Sequence, residues 1–225
     1  MSSPADNKNS FWLSWTINCA LGELIGIGAA GVIAILVFKL VGEPQTTGSK
    51  LLVLLCMMCA GLIEGAILGY MQWRILRHKL PELPRSNWMQ YTMLIAVLGW
   101  MLGMMPSLFF MDQSTAPSAG EAAAPPIPGT LFAALSVGVG LFLGALFGLF
   151  QWFELRHYVH HSKQWILANA LGWGAGIGWI YFFAGLPEEH TPLLEVIFYG
   201  VCGGILAGLS VGAITGAFLV RLHKR

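Results

Sequence analysis

Glycine recurs at every fourth position in three separate apolar runs of this chain: Gly61, Gly65 and Gly69; Gly140, Gly144 and Gly148; and Gly208, Gly212 and Gly216. Residues at i, i+4 and i+8 share one stripe of an α-helix. In water, a stripe with no side chains would leave empty the face on which a soluble helix buries leucine. In lipid the reasoning reverses. Hydrocarbon is as apolar as leucine, so helices gain from close packing of their backbones, which small residues permit. These glycines are therefore read as helix-packing positions. Three such stripes imply three tight crossings, with a compact inner ring of spans two, four and six as the expected arrangement.

Composition points the same way. The 225 residues are 56% hydrophobic and only 10% charged, against about 25% charged in a soluble domain. Runs of about 20 apolar residues are long enough to span a bilayer, and six are present: 12–40, 51–73, 89–111, 130–153, 165–184 and 194–219. The polar segment 1–11 precedes the first span and shows no small-residue cleavage site, so a cleaved signal peptide is not expected. Segment 112–129 is rich in Pro, Ala and Ser and reads as a disordered external tether. Arg74, Arg77, Lys79, Arg85, Arg156, Lys163, Arg221, Lys224 and Arg225 fall at one end of the spans, and Glu43, Asp112, Glu121, Glu188, Glu189 and Glu195 at the other. Short loops rich in Lys and Arg stay cytoplasmic. The expectation is a multi-pass inner (plasma) membrane protein with both termini cytoplasmic.

The spans also repeat. Trp15 to Leu21-Gly22 has the spacing of Trp165 to Leu171-Gly172, and Leu98-Gly99 stands in the same frame with Trp88 further upstream. A second glycine follows four residues later in each: Gly26, Gly103 and Gly176. One unit is thus a helix followed by an antiparallel glycine helix. The expected fold is all-α and integral to the membrane: six transmembrane helices as three parallel helical-hairpin repeats in a pseudo-threefold bundle. The hairpins cover 12–80, 81–160 and 161–225, the last with a basic tail. The first two glycine helices continue alike, through Gln72-Trp73, Leu76, Arg77 and Gln151-Trp152, Leu155, Arg156, whereas the third reads Leu219-Val220. Gln72 and Gln151 are read as polar clamps, able to bond a neighbouring backbone or an indole N–H.

The pattern G-x-x-x-G-x-x-Q-W-x-x-L-R over 65–77 and 144–156, followed by Leu98-Gly99-Trp100 and Leu171-Gly172-Trp173, resembles uncharacterised multi-pass bacterial membrane proteins. The resemblance implies six spans and carries no activity.

Candidate chemistry is sparse. Glu23 and Glu64 interrupt apolar spans on adjacent antiparallel helices. Each lies about 10 residues from the cytoplasmic end, hence roughly 15 Å deep. An acid at mid-membrane costs at least ~2.5 kcal/mol unless neutralised or paired, and no Lys or Arg matches that depth. Two carboxyls sharing a proton would suit a proton or cation relay. By the repeat, Trp100 and Trp173 stand at the position of Glu23. His157, His160 and His161 form a basic interfacial cluster that reads as a lipid-headgroup contact rather than a metal site, and the cysteines Cys19, Cys56, Cys59 and Cys202 read as buried packing thiols. No catalytic motif, cofactor site or metal site is expected, and no nucleic-acid surface. The expected partners are membrane lipids and other membrane subunits or further copies of the chain. The leading reading is a non-enzymatic accessory or assembly subunit of a membrane complex. The alternative is a small transporter or channel for a proton, a lipid or a hydrophobic solute, working through Glu23 and Glu64.

Overall fold

A computed structural model describes residues 4–110, 129–188 and 190–221, all helix and short turns. The helices are α1 (Pro4–Val41), α2 (Thr47–Lys79), α3 (Arg85–Met105) with a wider π-turn over Pro106–Phe110, α4 (Gly129–Leu155), α5 (Gln164–Ala184) and α6 (Leu193–Leu219). All six are long and apolar enough to cross a membrane. Most of the tether expected at 112–129 lies outside the described residues.

Local chemistry sets the helix ends. Gly42, at φ +70°, closes α1 with its N–H bonded to the Phe38 carbonyl, the left-handed stop that glycine adopts without steric cost. Thr46 and Ser49 form a reciprocal capping box at the start of α2, which supplies two otherwise unpaired amides with acceptors. Pro106 has no N–H to continue the α3 ladder, and the helix widens there into the π-turn.

The helices form a closed ring in chain order: each packs on its sequence neighbours, and α6 closes onto α1. The α3–α4 seam is the loosest. This overturns the inner ring of spans two, four and six. No even-numbered helix packs its backbone on another; each glycine stripe instead receives the odd-numbered helix that follows it. A methyl group on Gly65 would meet backbone of Thr92 and Met93, on Gly144 backbone of Asn169 and Ala170, and on Gly212 backbone of Thr16. The tightest backbone approaches are therefore α2/α3, α4/α5 and α6/α1, which join successive hairpins; within the hairpins α1/α2 and α5/α6 pack closely as well, and α3/α4 only loosely.

The registers differ among these pairs. Gly65 lies over Thr92, Met93 and Ala96, whereas Gly144 lies over Asn169, Ala170 and Trp173. Ala96, not Trp100, therefore stands in the place of Trp173, which corrects the frame read from Leu-Gly-Trp. The buried tryptophans explain the correction. Trp88 and Trp165 are fully buried with ring centroids 6.1 Å apart, and they fix both helices at the same level. The third seam is slipped by about one turn: Gly216 lies over Trp12 and Trp15, while its counterpart Gly148 lies over Trp165, Ile166 and Asn169.

The odd-numbered helices use their own glycines on the opposite side. Gly22 and Gly26 receive Leu68 and Glu64 of α2, and Gly172 and Gly176 receive Val211 of α6. Gly99 and Gly103 of α3 receive nothing.

Candidate functional site

The half of the bundle that carries the basic turns is filled. Trp15, Trp88 and Trp165 meet there with Leu76, Leu155 and Leu219 in one core. Gln72 and Gln151, each three residues past the last glycine of its stripe, project into this core. The Gln151 amide donates to Gln72 Oε1 (2.9 Å) and to Thr92 Oγ1 (3.0 Å), and its Oε1 accepts from Trp165 Nε1 (3.0 Å). The Gln72 side chain also reaches the Cys19 thiol. Trp15 Nε1 donates to Thr215 Oγ1 at 2.9 Å. These bonds tie α1, α2, α3, α4, α5 and α6 across the axis that their backbones leave open.

The neighbouring tryptophan of each Gln-Trp pair has a different task. Trp73 Nε1 donates to the Leu83 carbonyl (3.1 Å) and Trp152 Nε1 to Ser162 Oγ (3.1 Å), in both cases ten residues ahead in the following turn. Arg77 and Arg156 lie over these rings at the same 5.3 Å. So glutamine ties the helices together while tryptophan and arginine hold the turn. Glu154 anchors the second turn, accepting from Asn87 Nδ2 and from the Tyr158 hydroxyl, both at 3.1 Å. Burial and that bond to Glu154 push the Tyr158 phenol above its ordinary value of 10.0.

Toward the other end lie the two acids. Glu23 is 0% exposed and neither carboxyl oxygen has a hydrogen-bond partner. Glu64, 9% exposed, lies against Gly26 of α1, close enough to Glu23 for the two carboxyls to interact electrostatically. Its Oε2 accepts from Trp100 Nε1 at 2.6 Å. The repeat frame set Trp100 at the position of Glu23, and no sequence signal showed which way its indole N–H points.

Glu64 also lines a cavity of about 290 Å³ on the inner side of the α3–α4 seam. Its walls are apolar and aromatic: Ile95, Ala96 and Trp100 from α3, Leu143 and Phe147 from α4, and Trp173, Ile177 and Tyr181 from α5. Gly99 and Gly103 lie on its α3 wall. Trp173 is 7% exposed and stacks on Phe147 with centroids 5.0 Å apart, yet its indole N–H has no partner. Sequence reasoning missed this cavity, since its signal is an absence: two glycines whose facing helix does not close on them.

The histidines do not join this site. His157, His160 and His161 occupy the turn between α4 and α5, with His161 at φ 54°, and no group of three potential metal ligands occurs among the described residues.

Fold and site together define a class, that of all-helical, multi-pass membrane proteins with a carboxyl pair and a cavity inside the bundle. No family model, curated protein or solved structure matches the chain.

Proposed function

We propose that the protein is a small transporter, not an enzyme, that moves a proton or a solute soluble in the bilayer core by way of Glu23 and Glu64. The observation that supports this most is the site itself: a fully buried, unpartnered carboxyl beside a second carboxyl that lines a cavity. A purely structural acid would be bonded, because burying a polar group without a partner is costly. An acid that exchanges protons with its neighbour and with an occupant of the cavity has reason to lack a fixed partner, as Glu23 does.

The surrounding architecture fits a pseudo-threefold bundle of three hairpins, in which the three seams between hairpins are packed and, within the hairpins, only the α3–α4 seam is loose. The basic turns support an orientation with both termini in the cytoplasm and the bundle in the inner membrane. Its immediate partners are lipids; no cofactor and no nucleic acid enters the mechanism.

A second reading, an accessory or assembly subunit, keeps one observation in its favour. Gly28 and Gly31 on the exposed side of α1 face open space, leaving a thin helix surface that a neighbouring membrane subunit or another copy could cover.

Purified protein in liposomes with an imposed pH gradient separates the two. Transport predicts a proton flux, with or without added solute, that is lost in the Glu23→Gln, Glu64→Gln double variant while the protein still folds. Unchanged flux in that variant sinks the transport reading. Native mass spectrometry showing foreign subunits in fixed ratio would then establish the accessory one.

A further inference from the structure

The three glycine-bearing odd helices are built alike but used differently. In α1 and α5 the pairs Gly22/Gly26 and Gly172/Gly176 are filled by the helix alongside. In α3, Gly99, which the corrected frame sets level with Gly176, and Gly103 one turn beyond it meet no atom within 4 Å, and both line the cavity. The seam that they would close is the loosest in the ring. The missing contact therefore has a shape: a gap between α3 and α4 with Glu64 in its wall.

The chemistry at the end of that gap is selective. One carboxyl faces a chamber with Trp100, Phe147, Trp173 and Tyr181 in its walls. Aromatic faces attract cations, most strongly where water is excluded, and a carboxylate among them adds the counter-charge. No lysine or arginine supplies it from within: the titratable groups facing Glu64 are Glu23 from α1 and Tyr181 across the cavity from α5, while α4 contributes only Val139, Leu143 and Phe147. The cavity, at about 290 Å³, is at the lower end of the ~300–1,000 Å³ range of small-molecule sites. A phospholipid is too large for it, and a bare metal ion would find in its walls one carboxyl and the Tyr181 hydroxyl, too few oxygens to replace its hydration shell.

We infer that this cavity binds a small lipophilic cation, an ammonium on an apolar body, which enters laterally between α3 and α4 and is held by Glu64 among the aromatic rings. The inference rests on the transport reading and names its substrate class. The acid pair carries a proton when the cavity is empty; when the cation binds, that proton leaves to solvent and the carboxylate takes the ammonium as counter-ion. Charge is thereby conserved, and the unpartnered Glu23 is left as the place to which the next proton returns. The free Trp173 N–H is available to an acceptor group on the apolar body.

The test uses the purified full chain in detergent and two probes of one shape: benzyltrimethylammonium, permanently charged, and neopentylbenzene, its neutral isostere. Equilibrium dialysis with labelled probe and proton release in weak buffer are read together. We expect saturable binding of the cation with about one proton released per cation bound, and binding that strengthens as pH rises, because the proton competes. Glu64→Gln should weaken cation binding by about tenfold or more, as the loss of a desolvated charge contact implies, without affecting the isostere. Gly103→Leu, which fills open space and leaves the packed seams alone, should block both probes at unchanged stability. Equal binding of the two probes, or equal cation binding by the Glu64→Gln variant, overturns the assignment. Failure here is distinguishable from failure of transport. Proton flux dependent on Glu23 and Glu64 without cation binding leaves transport standing and removes the substrate class; cation binding with proton release but no flux in liposomes does the reverse.

Discussion

Replacing Gly144 by alanine adds a single methyl group, and the structure states what that group meets. The new carbon would press on the Asn169 carbonyl oxygen, come within 2.7 Å of Trp173 Cβ and within 2.9 Å of Ala170 Cα. Ordinary carbon contacts lie at roughly 3.5–4.0 Å, and two of the three obstacles are backbone, so α4 and α5 must separate by about an ångström. Overpacking of this kind costs about 1–3 kcal/mol, against which alanine returns roughly 0.5–1 kcal/mol of helix preference over glycine. The net expectation is a loss of about 1–2 kcal/mol, close to tenfold in the folding equilibrium. Gly99→Ala is the matched control. It sits on a helix of the same bundle but faces nothing, so only the favourable part remains and the variant should gain about 0.5–1 kcal/mol. Reversible unfolding in mixed micelles of increasing SDS fraction, followed by tryptophan fluorescence, reads both. The two variants should bracket the wild type, about 2 kcal/mol apart. If Gly144→Ala proves as stable as Gly99→Ala, the close backbone approach attributed to the glycine stripes is wrong.

Gln151→Leu should cost more than Gln72→Leu in the same unfolding assay. The first removes three bonds, worth about 0.6 kcal/mol each on average in membranes and so about 2 kcal/mol together, and the second removes one of them and the weaker contact with the Cys19 thiol; equal losses would refute the central place given to Gln151. Trp152→Phe should free the turn between α4 and α5 at a cost of about 0.5–1.5 kcal/mol, seen as faster proteolytic cutting after Arg156 with no change at the turn between α2 and α3. Tyr158 contributes stability that is complete below pH 10.0, where its phenol is protonated in both states, and that is lost as pH rises through its elevated folded value. Wild type should therefore lose stability above pH 10 more steeply than Tyr158→Phe, and parallel pH profiles would contradict the bond to Glu154.

Much of the fold was legible because lipid imposes so few solutions. Six long apolar runs must become six helices, and the helix ends found near Gly42, Thr46 and Pro192 carry ordinary stop and start chemistry. The glycine faces were legible as faces, since a stripe needs only the helical period. Their partners were not. A stripe shows which side of a helix is thin, but which neighbour fills it depends on ring order, a property of all six helices at once. The same limit explains the frame of α3. Leu98-Gly99-Trp100 matches Leu171-Gly172-Trp173 letter by letter, yet the large buried rings of Trp88 and Trp165 set the level, and a bulky side chain outweighs a tripeptide when the two disagree. Glu23 and Glu64 stood out as charges in apolar runs; their relation to Trp100 and to the cavity depended on that same level and could not be read without it.

The pairing of α6 with α1 has a consequence for how the chain is made. α1 is made before α6, so the helix that shields one side of α1, and that packs Gly208 against Cys19, Ala20 and Glu23, arrives only after α1–α5 have been made. Until α6 arrives Glu23 waits beside an unfinished seam, facing lipid or a temporary guardian, at an insertion cost of at least ~2.5 kcal/mol while charged. A chain broken off before α6 keeps that exposed acid permanently. α6 is thus also a seal: it hides an acid by which a membrane protease or an insertion chaperone could recognise a chain that lacks this helix.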